Sequence, residues 1–203
     1  METFNEYLSN TDLTPLVKPF TEYGERIIYK KGDYFIHEGN KSSYIGFVEC
    51  GVFKYEKVDS SGVPHTVGFN LDNDFVCDYT SFIRCQNSYT SIVALGDSTL
   101  YRLSYDKLMA ILQGDAALRE VWRKGCEGFA ITVYGRLLDF YCKTPQERYV
   151  ALIKRFPDIV DYVSLKELSS FIGIRAETLS RIRLKLEKSA EAWEQNTEKQ
   201  RRA

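Results

Sequence analysis

Apolar positions along this chain change their spacing twice, and each change marks a different kind of structure. From about Glu25 to Leu103 the apolar runs are short and rich in β-branched and aromatic residues. They are Arg26-Ile27-Ile28-Tyr29, Tyr34-Phe35-Ile36-His37, Tyr44-Ile45-Gly46-Phe47-Val48 and Val52-Phe53-Lys54-Tyr55-Glu56. Gly32-Asp33, Glu38-Gly39-Asn40 and Cys50-Gly51 separate them, and Asp59-Ser60-Ser61-Gly62 reads as a hairpin turn before a return strand from His65 to Asn70. Short strands at regular spacing predict a sandwich or barrel, with a jelly roll as the best-fitting member. Tyr105 to Leu112 then reads as a short helix closed by Gly114, followed by one long helix over about Asp115 to Tyr141. Leu118, Trp122, Gly125, Phe129, Val133, Arg136 and Phe140 fall near one face of that helix, an apolar seam that needs a partner. Gly125, Gly128 and Gly135 each cost about 1 kcal/mol in a helix interior, so they mark either a close approach or a bend.

The second change falls after Cys142. Thr144 as N-cap and Pro145 at the first helical position start a helix that runs to Phe156, before Pro157. Ser164 with Glu167 three residues on begins another, and Leu165, Leu168 and Ile172 give it one inward stripe. Gly173-Ile174 supplies a sharp break, after which Leu179, Ile182 and Leu186 repeat the stripe. Glu177, Arg181, Leu184 and Lys188 lie on another face, flanked by Arg183 and Lys185. A short helix, a glycine turn and a second helix with a basic outer face predict a helix-turn-helix that enters the DNA major groove. The tail from Ser189, SAEAWEQNTEKQRRA, is polar and lacks a strand-turn-strand, so the module is expected to lack a C-terminal wing.

Charge and cysteine content narrow the class. The chain has 203 residues and a net charge of −1, but from Lys143 onward there are 13 Lys plus Arg against 9 Asp plus Glu. The preceding part carries 14 against 19, so an acidic body is joined to a basic C-terminal module. Five cysteines (Cys50, Cys77, Cys85, Cys126 and Cys142) form no C-x-x-C pair, and their odd number argues for reduced thiols rather than a disulfide framework. No apolar run approaches a membrane span and METFNEYLSN is no signal peptide, so a cytoplasmic location away from membranes is expected.

The segment Gly173, Glu177, Thr178, Arg181, Ile182 resembles the G-x-x-x-E-T-hydrophobic-x-R-I core of the Crp/Fnr family, the relatives of the bacterial cyclic-AMP receptor protein. The run K-G-D-Y-F-I-H-E-G from Lys31, with Gly51, Gly62 and Asp74-Phe75, is similar to the cyclic-nucleotide-binding type of roll. Together the two modules cover nearly the whole chain. The resemblance implies an α+β protein with an N-terminal β jelly roll as sensor (1–114), a dimerisation helix (115–142) and a C-terminal, winged-helix-like helix-turn-helix domain with a polar tail (143–203). It implies a homodimeric transcription regulator, not an enzyme, that reads an inverted repeat in double-stranded DNA, with Leu118, Trp122, Phe129, Val133 and Phe140 as dimer seam. Glu177 would accept from a cytosine amino group and Arg181 would pair with guanine. Arg175, Thr178, Arg183 and Lys185 are placed for phosphates. Arg175 departs from the serine common at this cap in relatives, and Ala176 stands where the cyclic-AMP receptor protein has a base-reading arginine, so the preferred operator should differ from that protein's. RNA polymerase is a further candidate partner.

In cyclic-nucleotide-binding relatives an F-G-E motif brings backbone amides to the phosphate and a Glu to the ribose, while a nearby Arg pairs with the phosphate. Aligned by its phenylalanines, the stretch Phe75 to Phe82 puts Cys77 at the Gly position and Asp78 at the Glu position, and Ser88-Tyr89 replaces the Arg and its neighbour. A side chain at Cys77 hinders close approach, and Ser88 offers no fork donor. The candidate pocket residues are Cys77, Asp78, Arg84, Ser88 and Tyr89, and the expected effector is an unidentified small molecule other than cyclic AMP. No cofactor is expected: four clustered thiolates are lacking, and His37 and His65 are too far apart in sequence to suggest a metal centre. The competing reading is a small-molecule-binding jelly roll, or a metal-dependent cupin-type enzyme, whose helix-turn-helix is a protein-docking surface.

Overall fold

Antiparallel pairing of the eight short strands closes the roll as two four-stranded sheets. The structure is a computed structural model and describes residues 4, 5 and 11–201, with side chains through Lys188. The strands are β1 (Glu25–Tyr29), β2 (Tyr34–Ile36), β3 (Tyr44–Cys50), β4 (Phe53–Val58), β5 (Pro64–Asn70), β6 (Phe75–Val76), β7 (Ser91–Ala94) and β8 (Ser98–Ser104). One sheet has the order β1-β8-β3-β6 and the other β2-β7-β4-β5. Between them Val48, Phe53, Val76, Ile92 and Leu100 are fully buried, where inward-facing positions from both sheets meet.

The helices cover what the sheets leave open. These are α1 (Thr14–Tyr23), α2 (Tyr79–Ile83) between β6 and β7, α3 (Tyr105–Gly114), α4 (Ala116–Cys142), α5 (Pro145–Arg155), α6 (Ile159–Tyr162), α7 (Leu165–Ile172) and α8 (Ala176–Arg201). Leu16 and Phe20 of α1, Leu108 and Leu112 of α3 and Leu118 of α4 form a second core with Ile45, Phe47 and Leu103 of the roll. Gly125 lets α4 approach α1 closely, since a Cβ there would lie 3.1 Å from Leu13.

A third core joins the roll to the C-terminal helices. Tyr149, Leu152, Phe156, Ile159, Leu168, Phe171, Ile172 and Leu179 pack with Val52, Phe69 and Leu71 of the roll. Phe4 wedges between the two, with its ring 5.9 Å from Phe69, 5.8 Å from Phe156 and 5.8 Å from Phe171. Strand β5 is an edge strand, whose outward backbone groups would otherwise be a template for aggregation. Here Ser170 of α7 accepts from the Thr66 amide (2.8 Å), and Arg136 of α4 donates to the Val67 carbonyl (3.0 Å).

Candidate effector cavity and nucleic-acid interface

Residues at the start of the basic module set its geometry through local hydrogen bonds. Thr144 and Glu147 form a complete capping box at α5: Thr144 N–H donates to Glu147 Oε2 (2.7 Å) and Glu147 N–H to Thr144 Oγ1 (3.3 Å). Ser164 caps α7 by accepting from the Glu167 amide at 3.2 Å. Gly173 ends α7 at φ 81°, ψ 37°, a left-handed conformation that glycine adopts without a Cβ penalty. The Gly173 amide donates to Ser170 and the Ile174 amide to Ser169, both at 3.0 Å, so the paired bonds of a Schellman turn fix where α8 departs. Leu179 is completely buried under α8, which turns Glu177 and Arg181 outward.

Arg175, Glu177, Arg181 and Lys185 are exposed, and Thr178 is half-buried. Glu177, Arg181 and Lys185 follow one another at helical spacing of four, so they share a face of α8. Arg183 is different. It is half-buried, lies in a shallow cleft with Leu165, Ser180, Leu184 and Glu187, and acts electrostatically on Tyr149 of α5. The structure therefore separates Arg183 from the outer row with which the sequence grouped it. No strand follows α8 among the described residues, and the helix continues to Arg201.

A cavity of about 480 Å³ lies between the roll and α4. Leu13, Leu16, Ile45, Phe75, Trp122 and Phe129 give it an apolar wall, and β5 contributes Val67 through Asn70. Of the five residues assigned to an effector pocket, Cys77, Asp78 and Tyr89 line it, while Ser88 is buried behind them. Arg84 is exposed and lies outside the lining, because it caps the C-terminal end of α2 on the surface.

Asp78 caps α2 and is itself saturated with donors. Its Oδ2 accepts from the amides of Tyr89 (2.8 Å) and Thr90 (3.1 Å) and from the Thr90 hydroxyl (3.2 Å). Ser88 Oγ lies 3.1 Å from the same oxygen and 2.7 Å from the Thr90 carbonyl, so its single proton is divided between them. Oδ1 accepts from the Ser81 amide (3.3 Å) and hydroxyl (3.0 Å). The Cys77 backbone is also occupied: its amide donates to the Tyr55 hydroxyl (3.2 Å), which donates in turn to the Cys77 carbonyl (3.1 Å). Burial pushes the Cys77 thiol well above its ordinary value, so it stays protonated. Burial also raises the phenol of Tyr79, which bonds Cys126 across the cavity wall, and burial raises the Cys126 thiol.

Four residues behind Asp78 in sequence, a second buried carboxylate is poorly supplied. Asp74 Oδ2 accepts from Asn5 (2.8 Å), the Leu71 amide (2.9 Å) and Asn70 (3.3 Å), while its Oδ1 has no partner. Burial drives its pKa up to about 7. Asn70 lines the cavity, is 4% exposed, and leaves its own Oδ1 without a hydrogen bond.

The residues assigned to a dimer seam fall in two settings. Leu118 is buried in the roll's second core, and Trp122 and Phe129 pack against that core and against Tyr79. Val133 and Phe140 are exposed but line the cavity. The reason is that α4 is apolar on two faces, and periodicity cannot say which one the chain's own roll takes. A second row, Ile131, Tyr134, Leu138 and Tyr141, remains exposed at spacings of three, four and three. Sequence reasoning also passed over Arg136 and Asn70 as cavity residues; a lone arginine inside the row Phe129, Val133, Phe140 was the available signal.

The metal-centre alternative finds no cluster. His37 stacks on Tyr34 with ring centroids 3.9 Å apart, and His65 Nε2 pairs with Asp59 at 2.8 Å in the β4–β5 hairpin. Among the described residues no three His, Cys, Asp or Glu side chains come together as metal ligands, and no helix is long and apolar enough to cross a membrane.

Comparison with known proteins agrees with this architecture. Residues 26–115 match the family described as cyclic nucleotide-binding domain. No curated protein matches the chain in sequence. Among solved structures, FixK2 from Bradyrhizobium japonicum is 18% identical with a TM-score of 0.73, covering 82% of this chain and 86% of that one. A CooA mutant from Carboxydothermus hydrogenoformans is 12% identical with a TM-score of 0.66, covering 92% and 85%. CLP from Xanthomonas campestris, described as a c-di-GMP-responsive global regulator, is 16% identical with a TM-score of 0.62, covering 87% and 93%. The fold is that of the Crp/Fnr-type regulators.

Proposed function

We propose that this chain, which carries a cyclic nucleotide-binding domain and has the Crp/Fnr-type fold, is a homodimeric DNA-binding transcription regulator whose roll cavity holds a small effector. One observation carries the reading: two residues that line the cavity also pack on the helix-turn-helix. The Arg136 guanidinium lies 4.2 Å over the Phe171 ring, and the Phe140 ring lies 2.7 Å from the position a Cβ would take on Gly173. Strand β5 adds a third link, since it lines the cavity and bonds Ser170 of α7. A ligand that shifts α4 or β5 therefore works directly on the turn that aims α8. Such a shift requires only differential affinity for two arrangements of one packed interface.

In this reading Glu177 and Arg181 face base edges, while Arg175, Thr178 and Lys185 hold phosphates. Arg183 supports α8 from its inner side and is a weaker candidate for a phosphate contact. Two copies meet along Ile131, Tyr134, Leu138 and Tyr141 of α4, because these large side chains stay exposed while the opposite face is covered by the roll. A two-fold dimer would read half-sites about one helical turn apart.

Selection of bound sequences from a random DNA pool tests the reading. A selected inverted repeat is expected, and Arg181→Ala should cost about 1–3 kcal/mol per half-site and relax preference at one base position. Lys185→Ala should weaken all sequences alike and lower the salt slope by about one unit per subunit. Unchanged affinity and base preference in Arg181→Ala would refute the placement of α8.

A further inference from the structure

The donors around Asp78 are those that an anionic ligand would need. Two backbone amides and the Thr90 hydroxyl converge on Oδ2, and the Ser81 amide and hydroxyl converge on Oδ1. Asp78 is 7% exposed, so water does not compete for these bonds. The Cys77 amide is held by Tyr55. A second anion placed here would find its donors taken and would face a carboxylate in a weakly screened site, where like charges repel strongly. Arg136, the cation in the lining, is no substitute. It sits seven residues beyond Phe129 on α4, roughly 10 Å along the helix axis from the residue that touches Tyr79. Arg136 also donates to the Val67 carbonyl and stacks on Phe171.

We infer that Asp78 is a built-in anion that fills the cradle, and that the cavity takes an uncharged, largely apolar molecule. The inference rests on the reading of the roll as an effector site. The apolar wall of Leu13, Leu16, Ile45, Phe75, Trp122 and Phe129 sets the ligand's character, because burying apolar surface there supplies the driving force. A volume of about 480 Å³ accommodates two or three fused or linked rings.

The test uses the full chain and N-phenyl-1-naphthylamine, a neutral, largely apolar fluorescent dye. Micromolar binding with enhanced emission is expected, with no displacement by millimolar cyclic AMP or inorganic phosphate. Cys126→Trp, which fills the wall beside Tyr79, should abolish the signal. In Asp78→Ala the emptied cradle should accept sulfate, which then raises the melting temperature of the variant but not of the wild type. Displacement of the dye from wild type by micromolar cyclic AMP would overturn the inference, as would a signal indifferent to Cys126→Trp. A chain that binds its selected DNA but not the dye loses this inference and keeps the DNA reading; the converse result does the reverse.

Discussion

Asp74 and Asp78 stand four residues apart in the same chain segment, both buried, and the protein treats them in opposite ways. Asp78 receives donors on both oxygens from backbone and side chains of Ser81, Tyr89 and Thr90. Asp74 receives three donors on one oxygen and none on the other, and its pKa rises to about 7. Burial is shared, so burial does not decide what a carboxylate becomes. The supply of donors does. One aspartate is thereby held by donors on both oxygens, and the other is an acid that keeps its proton well above the usual range. That acid also ties Asn5, and so the Phe4 wedge, to the roll beneath the helix-turn-helix.

The pH dependence of stability should break or uphold this contrast most clearly. In the folded chain Asp74 loses its proton near pH 7, against an ordinary value of 3.8. The native state thus binds the proton more tightly than the unfolded state does. The contribution is complete below about pH 4 and is lost as pH rises toward 7, a loss of up to roughly 4 kcal/mol. Urea unfolding of wild type and Asp74→Asn between pH 4 and 8 checks it: the difference between the two curves should favour wild type least at high pH. A pH-independent difference would mean that Asp74 is as well supplied as Asp78.

The next largest effect is expected at Asp78. Its removal in Asp78→Ala strands several buried donors and should cost about 3 kcal/mol, measured as a shift in the urea midpoint with an unchanged slope. Asn5→Ala should be milder, about 1–2 kcal/mol at pH 8, where its bond goes to a charged acceptor, and less at pH 4, where Asp74 is protonated. The same variant should raise the Asp74 pKa further, because one of three donors to Oδ2 is gone. Nuclear magnetic resonance titration of the Asp74 carboxyl would read it directly.

How much of this was legible in the sequence differs between the modules. The helix-turn-helix announces itself locally: Ser164 and Glu167 at the start of α7, Gly173 at the turn and the stripe through Leu179 are nearest-neighbour signals, and each element forms where those signals place it. The roll's strands are bounded by turn residues in the same way. The cavity is another matter. Cys77, Asp78 and Tyr89 could be marked as pocket residues, but the donors that saturate Asp78 come from residues three to twelve positions away, and Asn70 and Arg136 arrive from β5 and α4. The two apolar faces of α4 carry the same periodicity, so the sequence does not say that Leu118, Trp122 and Phe129 turn toward the chain's own roll.

The sequence by itself determined the first five strands of the roll, the long helix α4, the helices α5, α7 and α8 and the basic face of α8, because caps, turns and helical or alternating periodicity act over a few residues. Only the tertiary structure decided which face of α4 is covered, that α7 closes the edge of β5, and that one aspartate is satisfied while its neighbour is not. Those outcomes depend on donors and surfaces brought together from distant parts of the chain. Neighbouring residues carry no record of how many hydrogen bonds will reach a buried oxygen once the chain has folded.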